Sequence, residues 1–142
     1  MDSLNKLDQI ILTPLKKISV EGGDVFHAMK SLDNSYKGFG EAYFSFVKFK
    51  AIKAWKKHKK MQMNLIVPLG SVKFVFFDDT NKKFRVEIIG KENYSRLFVP
   101  QGVFFGFQGL NKFDNLILNI SDISHDPNEV IKKSLDSINF DW

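Results

Sequence analysis

The feature that most limits how this chain can fold is a series of short apolar runs separated by turn signals. The side chains of residues 41–49 alternate strictly, with Ala42, Phe44 and Phe46 on one parity and Tyr43 and Ser45 on the other. A period of two predicts a β-strand. Similar runs follow at 62–79, where the turn signal Pro68-Leu69-Gly70 separates two strands, and at 83–90, 95–100, 103–110 and 114–123. Many short strands with frequent turns predict a sandwich or a barrel.

A single segment, residues 126–138, has a helical pattern. Asp126 suits the N-cap, Pro127 the first helical position and Glu129 the first turn. We therefore predict an all-β fold of the cupin or double-stranded β-helix jelly-roll type, with a short C-terminal helix. The length of 142 residues predicts a single domain spanning 1–142, in which 1–13 form a short lead-in.

Composition supports a compact β-rich protein and excludes some classes of site. The chain has 15 phenylalanines and no cysteine. Flat aromatic side chains favour a tightly packed β-rich core. Without cysteine there are no disulfides or thiolate metal sites, so we expect a cytoplasmic protein. The N-terminal sequence lacks a signal-peptide pattern and no apolar run is long enough to cross a membrane, so we expect no membrane partner.

Positive charge is concentrated in one stretch. Residues 48–60 contain seven lysines and no acid, and 42–77 contain no Asp or Glu at all. This stretch could bind phosphate groups, or it could be a solvated strand edge where lysine discourages edge-to-edge pairing. No arginine and no nucleic-acid-binding signature accompany it, so we expect no nucleic-acid partner.

The histidines give one candidate catalytic group. His27, His58 and His125 are too widely spaced to form a metal site, and we expect no metal and no cofactor. His58 lies among the lysines of this stretch, near the start of a predicted strand, where it is either a general base or an exposed histidine on a charged strand. We expect His27 and His125 to be peripheral. Glu41 and Asp122 are the carboxylates that could orient a base or bind a hydroxyl group.

Two sequence blocks resemble the dTDP-4-dehydrorhamnose 3,5-epimerase family, a group of cupins that act on nucleotide sugars. The block "ENYSRLFVPQGVFFGFQGL" is similar to the family pattern EN-x-x-x-L-x-[IV]-P-x-G-x-x-H-G-F, with Phe105 in place of the histidine. The block "QMNLIVPLGSVKFVFFD" is similar to Q-G-K-L-V-x-V-x-x-G-x-V-x-D-V-x-x-D. The likeness extends over most of 52–142. It implies a metal-free isomerase fold and a homodimer.

The resemblance also implies roles for individual residues, and several family residues are replaced. The segment "AIKAWKKH" resembles x-L-R-G-L-H, with Lys53 for the arginine that contacts phosphate and His58 displaced by two residues from the catalytic histidine. Asn64 stands where the family has a substrate-facing lysine. Ile123 stands near the position of the family's catalytic tyrosine. His58 is therefore the main candidate to retain a catalytic role.

Our first hypothesis is a sugar-nucleotide epimerase or ketoisomerase acting on a 4-keto deoxysugar nucleotide in surface-polysaccharide precursor synthesis. A keto group acidifies the neighbouring carbons, so a base can remove a proton to form an enolate that a nearby donor stabilises. His58 would be the base. Tyr43 would replace the missing acid or stack on the nucleobase. The residues that would bind substrate are Lys53, Lys56, Asn64, Glu41, Gln108 and Asn119.

The alternative hypothesis is a non-catalytic module that binds a sugar nucleotide or carbohydrate. It would keep the basic stretch, and Phe104 and Phe105 beside Trp55 would provide a stacking surface. The two hypotheses differ in the surroundings of His58. An enzyme requires that His58 face the interior with a carboxylate or hydroxyl partner, whereas a binding module does not.

Overall fold

The computed structural model describes residues 5–142, and two five-stranded antiparallel sheets face each other in it. Residues 1–4, which belong to the predicted domain and lead-in, lie outside the described residues. The first sheet has the strand order β1-β9-β6-β11-β4, and the second has the order β12-β5-β10-β7-β8. A small hairpin, β2-β3, stands apart from both sheets. The prediction of an all-β, cupin-like fold is confirmed.

The strand boundaries follow the apolar runs of the sequence closely. The strands are β1 Ile11–Pro14, β2 Lys17–Ile18, β3 Val25–Phe26, β4 Glu41–Phe46, β5 Ile52–His58, β6 Met63–Leu69, β7 Ser71–Asp78, β8 Lys83–Gly90, β9 Ser95–Val99, β10 Phe104–Gly109, β11 Leu116–Ser121 and β12 Val130–Lys132. Short 3-10 helices cover Lys6–Gln9, Pro127–Glu129 and Leu135–Ser137. None of the helices in 5–142 combines the length and apolar character that crossing a membrane requires.

The predicted C-terminal helix is wrong beyond its first turn. Asp126 does cap that turn, because its side chain accepts a hydrogen bond from the amide of Asn128 at 3.0 Å. The chain then becomes β12, in which Val130 pairs with His58 and Lys132 with Lys56. The β-branched residues that follow Glu129 suit an extended strand better than a helix. Pairing with β5 thus overrides the local helical pattern.

Two apolar clusters hold the sheets in place. The main core lies between the sheets and includes Leu65, Val72, Phe74, Phe76 and Leu97, all at most 2% exposed. A second cluster covers the outer face of the second sheet, where Trp55, Val75, Phe104 and Ile138 pack with Phe140 and Trp142. The Trp55 and Trp142 rings lie 5.4 Å apart. This second cluster fastens the C-terminal segment against β5.

A turn and a bulge fix the position of β10 beside β5. Gly102, with a φ of 85°, adopts a left-handed conformation that favours glycine, and its amide donates to the carbonyl of His58 at 2.8 Å. Further along, the register of β5 and β10 shifts between Phe105 and Gly106. A β-carbon on Gly106 would lie 2.4 Å from that of Ala54, so the close approach requires glycine there. The "PQGVFFG" stretch therefore anchors the end of β5 that carries His58.

Candidate active site

A cavity of about 400 Å³ lies between the two sheets. This volume falls in the range of pockets that hold small molecules. Its apolar wall is made of Met63, Leu65, Phe74, Phe105, Phe107 and Ile117. Its polar groups come from three places: Tyr43, Ser45 and Asn119 on the first sheet, Lys53, Lys56 and His58 on β5, and Lys132 and Lys133 at the C-terminal strand.

A buried histidine and carboxylate pair lies at one side of this cavity. His58 Nδ1 lies 2.5 Å from Glu129 Oε2, and the two residues are 8% and 2% exposed. The other carboxylate oxygen accepts hydrogen bonds from the amides of Lys60 at 3.1 Å and Met61 at 2.9 Å. The pairing of β12 with β5 places Glu129 there. Val130, the first residue of β12, pairs with His58, and the backbone carbonyl of Glu129 accepts a hydrogen bond from the amide of Lys59.

The environment keeps the Glu129 carboxylate ionised. Burial alone would raise the pKa of Glu129, but the hydrogen bonds from His58, Met61 and Lys60 outweigh it and hold the pKa below its usual value of 4.5. An ionised carboxylate only accepts hydrogen bonds, so the His58 proton resides on Nδ1. In the neutral imidazole Nε2 then carries the lone pair, and His58 is one of the residues that line the cavity. Phe105 stacks on the imidazole with ring centroids 6.0 Å apart and limits its rotation.

A tyrosine faces this pair from the opposite sheet. The Tyr43 hydroxyl accepts a hydrogen bond from Asn119 Nδ2 at 3.0 Å, and Asn119 Oδ1 accepts in turn from Ser121 at 2.9 Å. Desolvation and the charge of Glu41 raise the pKa of Tyr43, against an opposing effect of Asn119. Tyr43 therefore keeps its proton and can donate it into the cavity. The site thus offers an acceptor on one wall and a donor on the other.

Three lysines form a positive rim on the second sheet. Lys56 pairs with Lys132 across β5 and β12. Partial desolvation is the main cause that lowers the pKa of Lys56, and the charges of Lys132 and Lys53 lower it further. The charge of Glu129 acts in the opposite direction and raises this pKa. Lys53 Nζ donates to the carbonyl of Phe46 at 3.0 Å. The basic stretch thus contributes charge to the cavity, and β5 is an interior strand of its sheet, covered by β12.

The structure brings together five of the eight predicted site residues, Tyr43, Lys53, Lys56, His58 and Asn119. Three others lie outside the cavity. Asn64 points to the outer face of the first sheet, because its neighbours Met63 and Leu65 face inward, and it donates to the Ser35 carbonyl at 2.8 Å.

The expectations for Glu41 and Gln108 also need correction. Glu41 accepts from the amide of His125 at 3.0 Å at the far end of β4, so it holds a loop. Gln108 follows the inward-facing Phe107 and donates to the Lys50 carbonyl at 3.2 Å. Asp122 accepts from the Gln62 amide at 2.8 Å, and the carboxylate that orients His58 is Glu129.

The expected aromatic stacking surface is wrong as well. Consecutive residues of a strand point to opposite faces of the sheet, so Phe104 faces outward when Phe105 lines the cavity. The Trp55 side chain joins Phe104 on the outer face, where its Nε1 donates to the Leu135 carbonyl at 3.3 Å. Phe105 alone of these three aromatic side chains stacks on His58.

Three charged residues of the site that sequence reasoning missed come from the C-terminal segment: Lys132 and Lys133 line the cavity, and Glu129 contacts His58. All three lay in the predicted helix, where their distance from β5 could not be judged. The available signal was the Val130-Ile131 pair, which favours a strand and would have placed the flanking charges beside another strand. Among residues 5–142 no cluster of three or more His, Asp or Glu side chains has metal-site geometry.

The fold and these side chains define a cupin-like sandwich with a histidine–carboxylate pair facing a tyrosine across a basic cavity. A solved dTDP sugar isomerase from Desulfovibrio desulfuricans G20 has the same fold with a TM-score of 0.89 and is 32% identical, covering 94% of this chain and 90% of its own. The chain belongs to this family of dTDP-sugar isomerases, and the predicted resemblance to the dTDP-4-dehydrorhamnose 3,5-epimerases is confirmed.

Two more distant comparisons agree with this membership. The dTDP-4-dehydrorhamnose 3,5-epimerase from Sulfolobus tokodaii superposes with a TM-score of 0.81 at 21% identity, covering 98% of this chain and 84% of its own, and shows the shared fold. The spore coat polysaccharide biosynthesis protein SpsL of Bacillus subtilis (strain 168) is 25% identical over 145 residues, or 96% of each chain. No family profile matches the sequence.

The low pKa of Glu129 leads to a prediction about stability. A carboxylate with a lowered pKa in the folded protein stabilises the fold above its unfolded-state pKa, and that stabilisation is lost as the pH falls. We expect the free energy of unfolding to decrease as the pH falls below about 4.5, and to decrease less steeply in Glu129→Gln. Urea unfolding followed by fluorescence at a series of pH values measures this.

Asp78 provides the comparison for that measurement. Burial favours a higher pKa for Asp78, but hydrogen bonds from Asn81 and Thr80 lower it, so Asp78 contributes its own loss of stability in acid. Asp78→Asn should therefore also flatten the profile, and the double variant should flatten it further. An unchanged acid profile in Glu129→Gln would show that the Glu129 carboxylate is not held ionised as described.

Proposed function

We propose that the protein is a sugar-nucleotide isomerase that enolises a 4-keto deoxysugar nucleotide, by epimerisation or ketoisomerisation. The observation that carries the proposal is the His58–Glu129 pair at 2.5 Å on the wall of the cavity. It meets the condition that separates the enzyme from the binding module, because His58 faces the interior and has a buried carboxylate partner. The similar dTDP sugar isomerase from Desulfovibrio desulfuricans G20 supports the same chemistry.

His58 serves as the base in this proposal. Glu129 fixes the ring and the tautomer, so Nε2 meets the carbon next to the ketone and removes its proton. The pair of electrons from that C–H bond forms the enolate double bond, and the ketone oxygen takes up the negative charge. Glu129 remains ionised and stabilises the imidazolium that results.

Tyr43 serves as the acid on the other side. Epimerisation requires that the proton return to the face opposite the one from which it left, so the donor must come from the facing wall. Tyr43 lies on the first sheet and His58 on the second. The Tyr43 hydroxyl accepts a hydrogen bond from Asn119, which leaves the hydroxyl hydrogen of Tyr43 free to be donated. The two side chains therefore approach a substrate ring from opposite sides.

The diphosphate of the substrate fits the lysine rim. Lys53 and Lys132 place positive charge at the cavity, and no acid of β5 or β12 neutralises them. Phosphate groups bind such clusters of ammonium groups. A sugar-nucleotide precursor of a surface polysaccharide would supply this diphosphate, and the similarity to a spore coat polysaccharide biosynthesis protein supports that role. We place the activity in the cytoplasm.

The experiment that tests the proposal is deuterium exchange. We expect the protein to introduce deuterium from heavy water into a dTDP-4-keto-6-deoxysugar at a carbon next to the ketone, observed by NMR. His58→Gln should lower the rate by roughly 10²–10⁴-fold, the usual contribution of a general base. Glu129→Gln should lower the rate to a similar extent. The new amide group donates to Nδ1, so the imidazole proton moves to Nε2, which can then no longer act as the base. His125→Gln, which changes an exposed histidine, is the matched control.

Tyr43→Phe separates the two proton transfers. If His58 removes the proton and Tyr43 returns one on the opposite face, Tyr43→Phe should retain exchange into recovered substrate and lose epimerised product. Binding of the nucleotide sugar without any exchange by the wild-type protein would refute the enzyme and favour the binding module.

We also propose a homodimer formed through the outer face of the first sheet. Phe44 and Phe46 on the edge strand β4 are 63% and 61% exposed, and Leu69 on β6 is 49% exposed. Exposed apolar side chains clustered on an edge strand are usually covered by a partner. A second copy of the chain would cover these side chains.

The dimer is tested by light scattering after gel filtration. We expect twice the mass of one chain for the wild-type protein and the mass of a single chain for the double variant Phe44→Ser, Phe46→Ser. Val86→Ser is the control, because Val86 is also an exposed apolar residue but lies on β8 of the second sheet. A wild-type monomer, or dissociation caused by Val86→Ser, would contradict this interface.

A further inference from the structure

Lys56 lines the same cavity as His58. The two residues are two positions apart on β5, so they project from the same face of the sheet about 7 Å apart. In the register of the second sheet, Lys56 pairs with Phe105 on one side and with Lys132 on the other. Phe105 is the residue that stacks on the His58 ring. Lys56 thus lies directly beside the proposed base.

Two of the other three cavity lysines, Lys53 and Lys133, have partners elsewhere. Lys53 Nζ donates to the Phe46 carbonyl at 3.0 Å. Lys133 Nζ lies 5.0 Å from the centre of the Phe104 ring, which belongs to the outer face of the sheet. Lys132 lies on β12, the edge strand, one strand farther from Phe105. Among residues 5–142, the Lys56 ammonium forms no hydrogen bond or ion pair with another side chain and is free to meet a ligand.

Enolisation leaves negative charge on the ketone oxygen, and the proposed site needs a donor for it. Tyr43 is on the opposite wall, where it faces the carbon, and Asn64 points away from the cavity. The oxygen to be stabilised is attached to the carbon next to the one that His58 deprotonates. A donor adjacent to His58 on the same strand therefore has the correct placement.

We propose that Lys56 is the catalytic residue that stabilises the enolate oxygen during the proposed reaction. His58 Nε2 takes the proton from carbon, the C–H electron pair forms the carbon–carbon double bond, and the C=O π pair moves to oxygen. The Lys56 ammonium hydrogen-bonds that oxygen or transfers a proton to it. Reprotonation at carbon reverses these shifts and returns the proton to Lys56. This role rests on the isomerase function proposed above.

The electrostatics of Lys56 agree with the role. Partial desolvation and the charges of Lys132 and Lys53 lower its pKa from 10.5, so its proton is more easily transferred to an enolate oxygen than that of an ordinary lysine. The ionisable groups around it are His58 and Lys53 on β5, Lys132 and Glu129 on the C-terminal segment, and Tyr43 across the cavity. A lowered lysine pKa gives no advantage in binding a phosphate group, which requires only a fixed positive charge.

The test compares kcat and KM for deuterium exchange in lysine variants. We expect Lys56→Ala to lower kcat by roughly 10²–10³-fold, the effect of removing one donor to an oxyanion, with KM changed less than threefold. Added ethylamine should restore part of kcat, and Lys56→Arg should retain part of it and move the alkaline limb of the pH profile to higher pH. Lys53→Ala should instead raise KM. Lys59→Ala, in the same basic stretch but outside the cavity, should match the wild type.

The outcomes separate this proposal from the one on which it rests. If the wild-type protein exchanges no deuterium with any 4-keto nucleotide sugar, the isomerase function fails and the role of Lys56 fails with it. If the wild type exchanges but Lys56→Ala keeps its kcat, or loses only affinity without amine rescue, the function stands and the assignment of Lys56 is overturned.

Discussion

The site depends on the pairing of a three-residue strand, β12, with β5. This pairing places Val130 opposite His58 and the Glu129 carboxylate against the imidazole, and without it His58 would end an uncovered edge strand. The amides of Lys60 and Met61 then bind the carboxylate, so the charge of Glu129 is stabilised by hydrogen bonds in a place where burial alone would neutralise it. The histidine is oriented as a consequence, on the wall of the cavity.

Packing on the far side of the sheet supports this arrangement. Trp55, adjacent to the cavity-lining Lys56, turns its indole outward against Phe104 and Trp142. The amide and carbonyl of Trp55 also bond the backbone of Lys133 at 3.0 Å in both directions. The C-terminal segment is thus held by its side chains and by its backbone, and the geometry of the candidate site inside the sandwich depends on apolar contacts outside it. Core substitutions at Trp55 would therefore affect both the stability and the site.

Much of the fold could be predicted from the sequence, because alternation and turn residues act locally. The break at Gly70 and the alternation from Tyr43 to Phe46 predicted β4, β6 and β7 correctly. The role of the C-terminal segment could not be predicted in this way. Its cap at Asp126 is real, but the contacts that turn the next residues into a strand join positions about 70 apart in sequence.

Only part of the candidate site could be predicted, because the sequence shows local alternation but not which distant segments meet. Strand parity decides which side chains face the cavity, and parity follows from the sequence only when one inward residue is known. Tyr43 and Asn119 face inward, whereas Asn64 and Gln108 lie on the other parity. Glu129 could not be found from local pattern, since a carboxylate in the first turn of a helix is ordinary. The basic stretch, in contrast, was informative, because its lysines reach the cavity from the strand that carries His58.

We propose that His58, Tyr43 and Lys56 surround a substrate carbon next to a ketone. A crystal structure of the His58→Gln variant with a dTDP-4-keto-6-deoxysugar tests this directly, because the substrate cannot be turned over. We expect the sugar ring inside the cavity, with the acidic carbon between residue 58 and the Tyr43 hydroxyl and the ketone oxygen within hydrogen-bond distance of Lys56. A sugar bound outside the cavity, or a ketone directed away from β5, would contradict the mechanism.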